Sequence, residues 1–281
     1  MRARDILVVM DKAPRRTALV TGASAGIGAA LARVLAEHGF DLVLVARREE
    51  RLRALAGDLG RQFRIDTRVL VADLADPAAP ADIFVKCLAG GRHVDVLVNN
   101  AGYGLGGGFL DASWEQHARF IQVMMTALAE ITYRFLPGMI DRRYGRIINV
   151  ASLAGLAPAT AGHTLYAASK AFVIRFSQSL ALETRRHGVH VTALCPGFTY
   201  TEFHDVSGTR ALVSRLPKWM WMDADHVARE AYDAVMRGQI VRVPGRVNRF
   251  LASLVHLMPE SLVLRVMVGQ TRKIRRLQSG G

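Results

Sequence analysis

The sequence is poor in cysteine, proline and lysine, and it contains no long uninterrupted apolar run. Its two cysteines, Cys87 and Cys195, are too few for a disulfide framework and have no metal-ligand spacing, and they suit a reducing compartment. Nine prolines against 25 glycines, with 51% hydrophobic residues, exclude a disordered or collagen-like chain. Residues 250–268 come nearest to a membrane span, but a proline and two charged residues interrupt them, and a span needs roughly 18 uncharged apolar residues.

Acidic residues are also scarce relative to basic ones, 24 against 37, which gives the 281-residue chain a formal net charge of +13. Residues 237–281 hold nine arginines and lysines but a single acid, Glu260. This imbalance favours anionic partners such as a membrane surface or an acyl carrier, although a solvated basic face explains it equally well. Nucleic acid is not expected, because no binding motif accompanies the charges. The amino terminus is a poor signal peptide, so we expect a cytoplasmic protein, with peripheral membrane attachment left open.

Short runs of β-branched and aliphatic residues alternate with longer segments of helical periodicity between residues 16 and 245. This alternation is typical of an α/β fold with a doubly wound parallel sheet. We expect a seven-stranded sheet, with strands at residues 17–21, 41–46, 68–72, 95–98, 146–150, 190–194 and 240–243. A basic amino-terminal extension (1–15) and a basic amphipathic helical extension at the carboxyl end (246–281) flank this domain, and an apolar stretch at about 200–222 is expected to form a lid.

Several helix boundaries are also predicted. Gly39 and Gly188 follow helical segments at 27–38 and 167–187, as helix-terminating glycines do. Ser113 and Gln116 have the spacing of a capping box, and a further helix is expected after Asp223.

A glycine-rich turn, residues 21–28, separates the first predicted strand from the first predicted helix. Gly22, Gly26 and Gly28 let the backbone turn sharply and approach a pyrophosphate, whose charge meets the free N–H groups at the start of the helix. The spacing is G-x-x-x-G-x-G, not the general dinucleotide fingerprint G-x-G-x-x-G. Tight turns need glycine for steric reasons too, but the position between strand and helix favours a phosphate-binding loop.

The second predicted strand ends in Arg47 and Arg48 and carries no acid at this point. An acid here accepts hydrogen bonds from the adenosine ribose of NAD, whereas arginine accommodates a 2′-phosphate. Two guanidinium groups therefore favour NADP(H) over NAD(H). The alternative is that both are ordinary solvent-facing charges opposite Glu49 and Glu50.

Tyr166 and Lys170 are separated by four residues in a predicted helix, so both side chains lie on one face about a turn apart. We expect Lys170 to stabilise tyrosinate and to lower the pKa of Tyr166 from about 10, which makes the phenol a usable proton donor. Ser152 follows the fifth predicted strand, where it places a hydroxyl at the carboxyl edge of the sheet.

Together these motifs resemble the classical short-chain dehydrogenase/reductase family over roughly residues 15–245. The resemblance is carried by TGASAGIG at 21–28, Asp73-Leu74, NNAG at 99–102, Ser152, YAASK at 166–170 and Pro196-Gly197, in this order. It implies a Rossmann-type fold, a homodimer or homotetramer, and NADP(H)-dependent interconversion of a carbonyl and an alcohol.

The resemblance also implies roles for individual residues. Ser152 binds the substrate carbonyl, Tyr166 donates the proton, and Lys170 binds the nicotinamide ribose while tuning the pKa of Tyr166. Asp73 contacts the adenine and Asn100 lies near a ribose. The implied coenzyme contacts are Gly22, Ser24, Gly26, Ile27, Gly28, Arg47, Arg48, Asp73, Leu74, Asn100, Tyr166, Lys170, Pro196, Gly197, Thr199 and Thr201.

Two positions depart from the family pattern. Ala25 stands in the glycine turn where NADP-preferring members often carry a basic residue, so the coenzyme preference rests on Arg47 and Arg48. Met124 aligns with the asparagine of the family's catalytic tetrad, and a thioether donates no hydrogen bond. Because the relay water in the family is held largely through the backbone carbonyl at this position, we expect slower or unusual turnover rather than an inactive protein. An NADP(H)-binding sensor or scaffold with weak turnover is the alternative.

Large apolar residues flank the expected crevice and favour an apolar or lipid-like carbonyl or alcohol as substrate. They are Tyr103, Leu105, Leu153, Leu156, Tyr200, Phe203 and residues 219–222. Closure of the core or of an oligomer interface explains them equally well. His163 and His204 lie in the same regions without a predicted role. The basic carboxyl-terminal helices leave a third interpretation open, a peripheral membrane-binding protein.

Overall fold

A computed structural model describes residues 15–91, 93–157, 162, 164–202 and 217–257. Its strands are β1 (Thr17–Thr21), β2 (Asp41–Ala46), β3 (Thr67–Val71), β4 (Val94–Asn99), β5 (Gly145–Val150), β6 (Val189–Leu194) and β7 (Val241–Arg242). They form one parallel seven-stranded sheet in the order β3-β2-β1-β4-β5-β6-β7. The predicted doubly wound sheet is confirmed.

The α-helices of the described residues follow the strands in alternation. They are α1 (Gly26–Glu37), α2 (Glu49–Phe63), α3 (Ala79–Ala89), α4 (Trp114–Ile121), α5 (Ala127–Asp141), α6 (Thr164–Thr184), α7 (Ala224–Met236) and α8 (Arg246–Leu257). A π-helical turn, Gln122–Thr126, joins α4 to α5, and short 3-10 turns lie at Leu153–Gly155, Arg185–His187 and Lys218–Met220.

Helices cover both faces of the sheet because successive strand residues point to opposite sides. In β1, Ala18 and Val20 pack with α1, α2 and α7, whereas Leu19 packs with α3, α5 and α6 on the other face. Both faces of the central strands are therefore buried, which explains their nearly continuous aliphatic sequences.

The order in which strands are added to the sheet reverses between β1 and β4, although all strands run parallel. From β1 the sheet grows through β2 to β3 on one side, and from β4 through β5, β6 and β7 on the other. In open parallel sheets a ligand crevice forms beyond the carboxyl ends of the strands at such a switch point. The fold therefore places the crevice above the ends of β1 and β4.

The predicted boundaries of β1 and β2 match the structure, and those of β3 to β6 differ by one residue at one or both ends. The last strand is shorter than the predicted 240–243 and comprises only Val241–Arg242. Gly39 and Gly188 take left-handed backbone angles, with φ of +78° and +74°. The Ser113 capping box and the helix after Asp223 are also confirmed. The π-helical turn was not predicted, because hydrophobic periodicity does not distinguish it from continuous α-helix.

Some predicted regions lie outside the described residues. They are residues 1–14 of the amino-terminal extension, residues 203–216 of the predicted lid, and residues 258–281 of the basic carboxyl-terminal extension. Within the described part of the chain, no helix has both the length and the apolar content to cross a bilayer. Cys87 and Cys195 are both buried and free, as expected for a chain without a disulfide framework.

Candidate functional site

The glycine turn connects β1 to α1 at the switch point of the sheet. Gly22 and Gly26 have φ of +65° and +57°, which L side chains rarely adopt. A Cβ on Gly22 would lie 2.8 Å from the Cα of Ala101, so the turn also sits too close to the end of β4 for any larger residue. Ala25 is the N-cap of α1, and its side chain makes no capping hydrogen bond. The cap residue therefore does not compete with an anion for the first N–H groups of the helix.

Asn100 and Thr21 fix the conformation of this turn. The side-chain amide of Asn100 donates to the carbonyls of Thr21 and Gly22 at 3.0 and 3.2 Å. The Thr21 hydroxyl in turn accepts the backbone N–H groups of Asn100 and Ala101. Asn100 therefore supports the backbone of the glycine turn through hydrogen bonds within the protein, and its predicted position beside a ribose stays a prediction.

Arg47 and Arg48 are both exposed where β2 ends. The guanidinium of Arg48 donates from Nε and Nη2 to the hydroxyl of Ser24 at 3.2 and 3.0 Å, which joins the end of β2 to the glycine turn. This pair places a guanidinium and a hydroxyl side by side, a combination that could hold a phosphate.

Asp73 and Leu74 follow β3 on the same edge of the sheet. Leu74 is buried in the core, and one carboxylate oxygen of Asp73 accepts the N–H of Ala75 at 3.0 Å. The other carboxylate oxygen lies 3.4 Å from a guanidinium nitrogen of Arg119, which is a weak, exposed ion pair. The predicted adenine contact at Asp73 stays a prediction.

Ser152, Tyr166 and Lys170 are brought together beyond the carboxyl end of β5. Ser152 caps the 3-10 turn Leu153–Gly155 by accepting the N–H of Ala154 at 3.1 Å, and its side chain hydrogen-bonds with Tyr166. Tyr166 and Lys170 are one turn apart on α6, and the Lys170 ammonium lies 5.8 Å from the centre of the Tyr166 ring. The three polar side chains thus form one cluster.

Gly155 allows α6 to approach this cluster. A Cβ at this position would lie 2.6 Å from the carbonyl carbon of Lys170 and 2.8 Å from the backbone nitrogen of Ala171. Both are backbone atoms that cannot move aside easily, so a glycine is required for α6 to pack against the turn that presents Ser152.

The electrostatics of the cluster differ from the prediction made from the Tyr-Lys spacing. Burial raises the pKa of Tyr166 above its ordinary value, and the hydrogen bond with Ser152 only partly opposes this. Burial lowers the pKa of Lys170 to about 8, with Cys195 acting in the opposite direction. The predicted lowering of the Tyr166 pKa by Lys170 is wrong for this structure, because desolvation dominates both groups and the ammonium donates to the carbonyl of Val150 at 2.8 Å.

The segment after β6 closes the far side of the crevice. Pro196 accepts the N–H of Leu153 at 3.0 Å, which connects this segment to the turn that follows Ser152. Thr199 is buried, donates to the carbonyl of Gly197 and forms a β-bridge with Met222. Thr201 reaches the glycine turn, since a Cβ on Gly26 would lie 3.0 Å from its side chain.

Met124 lies in the π-helical turn and is buried. A Cβ on Gly102 would lie 2.9 Å from its sulfur, so the thioether packs directly against the NNAG segment. The hydrogen-bond pattern shifts here, with the N–H of Ala127 donating to the carbonyl of Gln122 five residues earlier. Single π turns within helices occur often at functional sites.

The predicted apolar residues divide between the core and the crevice. Tyr103 packs edge-on against the fully buried Phe120, and Leu156 packs against a cluster that contains Ala151 and Ile174. Tyr200 stacks on Trp221 with 4.8 Å between ring centres and borders an open cleft. Phe203, His163 and His204 lie outside the described residues.

Sequence reasoning missed three contributors to the site. Asn248 of α8 packs over Gly197, where a Cβ would lie 2.7 Å from its side-chain nitrogen, and it donates to the carbonyl of Pro244. Arg51 and Glu202 form an ion pair at the rim of the open cleft. No sequence pattern identifies Asn248 or Glu202, because both depend on contacts between distant segments, but Arg51 is one helical turn from Arg48.

Comparison with known proteins agrees with this geometry. The profile of the family described as short chain dehydrogenase matches residues 16–210. Oxidoreductase UcpA of Salmonella typhimurium is 39% identical over 192 residues, 68% of this chain and 72% of that protein. The very-long-chain 3-oxoacyl-CoA reductase of Anas platyrhynchos is 37% identical over 196 residues, 68% of this chain and 62% of that protein.

A solved structure extends the match over most of the chain. The short-chain dehydrogenase from Sphingobium yanoikuyae, in complex with NADPH, superposes with a TM-score of 0.76 at 34% identity. The superposition covers 87% of this chain and 96% of that one. The ordered motifs, the sheet topology and these matches together show that the chain belongs to the short-chain dehydrogenase/reductase family.

Proposed function

We propose that the protein reduces an apolar carbonyl compound to an alcohol, with Ser152 binding the carbonyl oxygen and Tyr166 donating the proton. It is an NADP-dependent short-chain dehydrogenase/reductase, and the bound coenzyme supplies the hydride. The observation that carries the proposal is the cluster of Ser152, Tyr166 and Lys170, which lies on the same edge of the sheet as the glycine turn.

The two hydroxyl groups have complementary roles in this scheme. Ser152 and Tyr166 both direct hydrogen-bonding groups at the oxygen that gains negative charge as the carbonyl is reduced. The raised pKa of Tyr166 keeps its phenol protonated at neutral pH, so the residue holds the proton that carbonyl reduction consumes.

Lys170 is placed to organise the cluster rather than to exchange the substrate proton. Its ammonium is buried and donates to the carbonyl of Val150, the last residue of β5, two positions before Ser152. With further donors available on the same nitrogen, it fits the predicted contact with the nicotinamide ribose.

The coenzyme is NADP(H), and the residues of the turn fit a dinucleotide phosphate. Gly22 has a left-handed conformation and no side chain to shield the backbone of the turn, and the N-cap of α1 makes no side-chain hydrogen bond. Arg47 and Arg48 supply positive charge at the end of β2, where no acid opposes a 2′-phosphate. The related Sphingobium structure was determined with NADPH.

An apolar substrate is supported by the walls of the crevice. Leu153 and Leu156 are half-buried directly after Ser152, and the exposed ring of Tyr200 borders the cleft. The relative from Anas platyrhynchos is named as a very-long-chain 3-oxoacyl-CoA reductase, which adds support for a lipid-like carbonyl substrate. Apolar surface next to a few polar groups is the usual composition of a small-molecule site.

The test is a panel of ketones and 3-oxoacyl thioesters graded by chain length and bulk, assayed by loss of NADPH absorbance. We expect Tyr166→Phe to lower kcat by about 10²- to 10⁴-fold on every substrate that is turned over. Tyr144→Phe is the matched control, because Tyr144 precedes β5 at the opposite edge of the sheet and its ring stacks under Arg16 and Arg146. Equal activity of Tyr166→Phe and Tyr144→Phe would show that the proposed donor is wrong.

We also infer that α8 attaches the protein to an anionic membrane surface. Val247, Phe250, Leu251 and Leu254 are exposed and follow the i, i+3, i+4, i+7 pattern of one helix face, with Phe250 68% accessible. Arg246 and Arg249 belong to the same helix, and residues 258–281 carry further basic residues but one acid. Apolar surface bordered by arginines fits anionic lipid headgroups.

Sedimentation with vesicles tests this attachment. We expect the protein to pellet with vesicles containing phosphatidylglycerol and to remain in solution with pure phosphatidylcholine at 0.15 M salt. Phe250→Glu should release it, whereas Leu110→Glu, which alters a highly exposed apolar residue outside α8, should not. Equal pelleting of the two variants would contradict the role of α8. If α8 instead packs against a second copy of the chain, the wild type would be a dimer in solution and Phe250→Glu a monomer.

A further inference from the structure

An ion-pair cluster spans the rim of the cleft next to the glycine turn. One carboxylate oxygen of Glu202 lies 2.8 Å from Nη1 of Arg48, and the other lies 2.5 Å from Nη1 of Arg51. Glu202 follows β6 and both arginines follow β2, so the cluster joins opposite sides of the cleft. The cleft measures 490 Å³ and is lined by Ser24, Ala25, Gly26, Arg51, Tyr200, Thr201 and Glu202.

The carboxylate engages the same guanidinium that the coenzyme phosphate needs. All three guanidinium nitrogens of Arg48 contact groups of the protein: Nη1 donates to Glu202, and Nε and Nη2 donate to Ser24, which together use three of its five N–H groups. Carboxylate and phosphate present similar oxygen pairs to an arginine fork and are recognised in the same way. A phosphate that reaches Arg48 must therefore compete with the carboxylate.

Glu202 is ionised under ordinary assay conditions. Hydrogen bonds from Arg48 and then Arg51 hold the pKa of the carboxyl below its ordinary range. The side chains of Glu202, Arg48 and Arg51 are 43%, 44% and 51% exposed, so the pairing is partly solvated and open to exchange. These are the properties of a replaceable contact.

We propose that Glu202 is an internal competitor for the adenosine 2′-phosphate of NADP(H), and that this phosphate replaces its carboxylate on both Arg48 and Arg51. Arg51 thereby becomes a phosphate-binding residue, and Glu202 a determinant of coenzyme affinity and selectivity. NADH has no phosphate at this position and leaves the carboxylate paired. The proposal rests on the coenzyme site described above.

Binding of two adenosine fragments isolates the phosphate contact from catalysis. Adenosine 2′,5′-bisphosphate carries the relevant phosphate and adenosine 5′-monophosphate lacks it, and both are titrated calorimetrically against the full chain. We expect Glu202→Gln to tighten binding of the bisphosphate about 3- to 10-fold, the size expected when partly exposed ion pairs are removed. Binding of the monophosphate should stay within about twofold of wild type.

Glu37→Gln is the matched control, because Glu37 makes a two-armed ion pair with Arg229 at 2.7 and 3.2 Å at the other end of α1. It removes the same charge from the protein and should leave both affinities unchanged. A bisphosphate affinity that rises equally in Glu37→Gln and Glu202→Gln would reduce the effect to net charge and overturn the proposal.

Arg51→Ala distinguishes two roles of that residue. If Arg51 receives the phosphate, its removal weakens bisphosphate binding, by about 3- to 10-fold, in both the wild-type and the Glu202→Gln background. If Arg51 only holds Glu202 in place, its removal leaves bisphosphate affinity unchanged or tighter, and the proposal is wrong on this point.

Arg48→Ala separates this proposal from the coenzyme site itself. Loss of bisphosphate selectivity in Arg48→Ala with no effect of Glu202→Gln would overturn the competition and leave the coenzyme site intact. Unchanged selectivity in Arg48→Ala would instead overturn the assignment of the 2′-phosphate site on which both ideas depend.

Discussion

The side-chain ammonium of Lys170 donates a hydrogen bond to the backbone carbonyl of Val150, with 2.8 Å between nitrogen and oxygen. This contact fixes the lysine at the end of β5 rather than against the phenol of Tyr166. A buried ammonium with one carbonyl partner is poorly solvated, which is why burial lowers the pKa of Lys170 to about 8.

This lowered pKa predicts the pH dependence of activity. We expect NADPH-dependent carbonyl reduction to decline as pH rises through about 8, because Lys170 then loses the charge that organises the coenzyme ribose. Lys170→Arg keeps its charge at all accessible pH values and should remove this decline from whatever activity it retains. Initial rates from pH 6 to 10 for both proteins provide the measurement. A wild-type decline that persists unchanged in Lys170→Arg would assign it to another group.

Raising the pH has the opposite effect on stability: it lowers activity through Lys170 but increases that residue's contribution to the free energy of unfolding. Between pH 8 and 10.5 the unfolded chain still binds the proton that folded Lys170 has released, so the contribution of this group to the free energy of unfolding rises with pH in that window. Urea unfolding at pH 8 and pH 10, compared between wild type and Lys170→Met, measures it. The difference between the two proteins should shift in favour of wild type at the higher pH.

Gly22 and Gly39 share a left-handed backbone conformation, but only Gly22 is also crowded by neighbouring backbone atoms. Both have positive φ, +65° and +78°, so alanine costs about 1–2 kcal/mol at either position through backbone strain. Only at Gly22 does the new Cβ meet backbone atoms of Ala101, whereas Gly39 has nothing within 4 Å. We expect Gly22→Ala to lose about 1–3 kcal/mol more than Gly39→Ala in urea unfolding.

Coenzyme binding gives the second readout for this pair. Gly22→Ala should weaken NADPH binding at least tenfold, because displacement of the turn moves the N–H groups that meet the phosphates. Gly39→Ala, at the far end of α1, should bind NADPH like wild type. Equal affinities for the two variants would show that the turn does not contact the coenzyme.

Much of the fold followed from the sequence because its signals are local. β1 and β2 are marked by aliphatic runs that match the structure residue for residue, and the capping box at Ser113 needs only Gln116 three residues later. Ser152, Tyr166 and Lys170 could be placed because each follows or lies on an element whose position in a parallel sheet is determined by chain order.

Other features depend on contacts that sequence patterns do not encode. The raised pKa of Tyr166 reflects how completely its hydroxyl is desolvated, which residue spacing cannot indicate. Asn248 meets Gly197 only because α8 returns over the end of β6, and Glu202 meets Arg48 across 154 positions of chain. The π-helical turn at Met124 has the same apolar periodicity as an α-helix.

A buried polar network couples the sheet to the helices that cover it. Asn99 donates to Thr132 at 2.9 Å and to Asn149 at 2.8 Å, and Asn149 donates to Ser177 at 2.9 Å. Since these residues are all buried, a missing partner leaves a polar group unsatisfied. We expect Asn149→Ala to lower the free energy of unfolding by about 1–3 kcal/mol.

A double-mutant cycle with Ser177→Ala tests whether the network acts as a unit. The double variant should lose less stability than the sum of the two single variants, with a coupling of about 0.5–3 kcal/mol. Urea unfolding of the four proteins gives the coupling. Simple additivity would show that the two side chains contribute independently despite their hydrogen bond.

Met124 is the residue at which we predict a departure from the family's usual catalysis. Its sulfur packs against Gly102 within the π-helical turn, where the family's tetrad has an asparagine. An asparagine side chain would place hydrogen-bond donors and acceptors beside Gly102, where the thioether offers no donor. We therefore expect Met124→Asn to raise the single-turnover rate of carbonyl reduction several-fold, with NADPH affinity unchanged.

Met124→Leu is the control for this substitution, because it keeps an apolar side chain of similar volume and should leave the rate within about threefold of wild type. A raised rate in Met124→Asn alone would show that the thioether limits proton delivery in the natural protein. An unchanged rate in both variants would remove Met124 from the catalytic argument. Undetectable turnover in wild type and Met124→Asn alike, with NADPH still bound tightly, would instead favour a coenzyme-binding sensor over an enzyme.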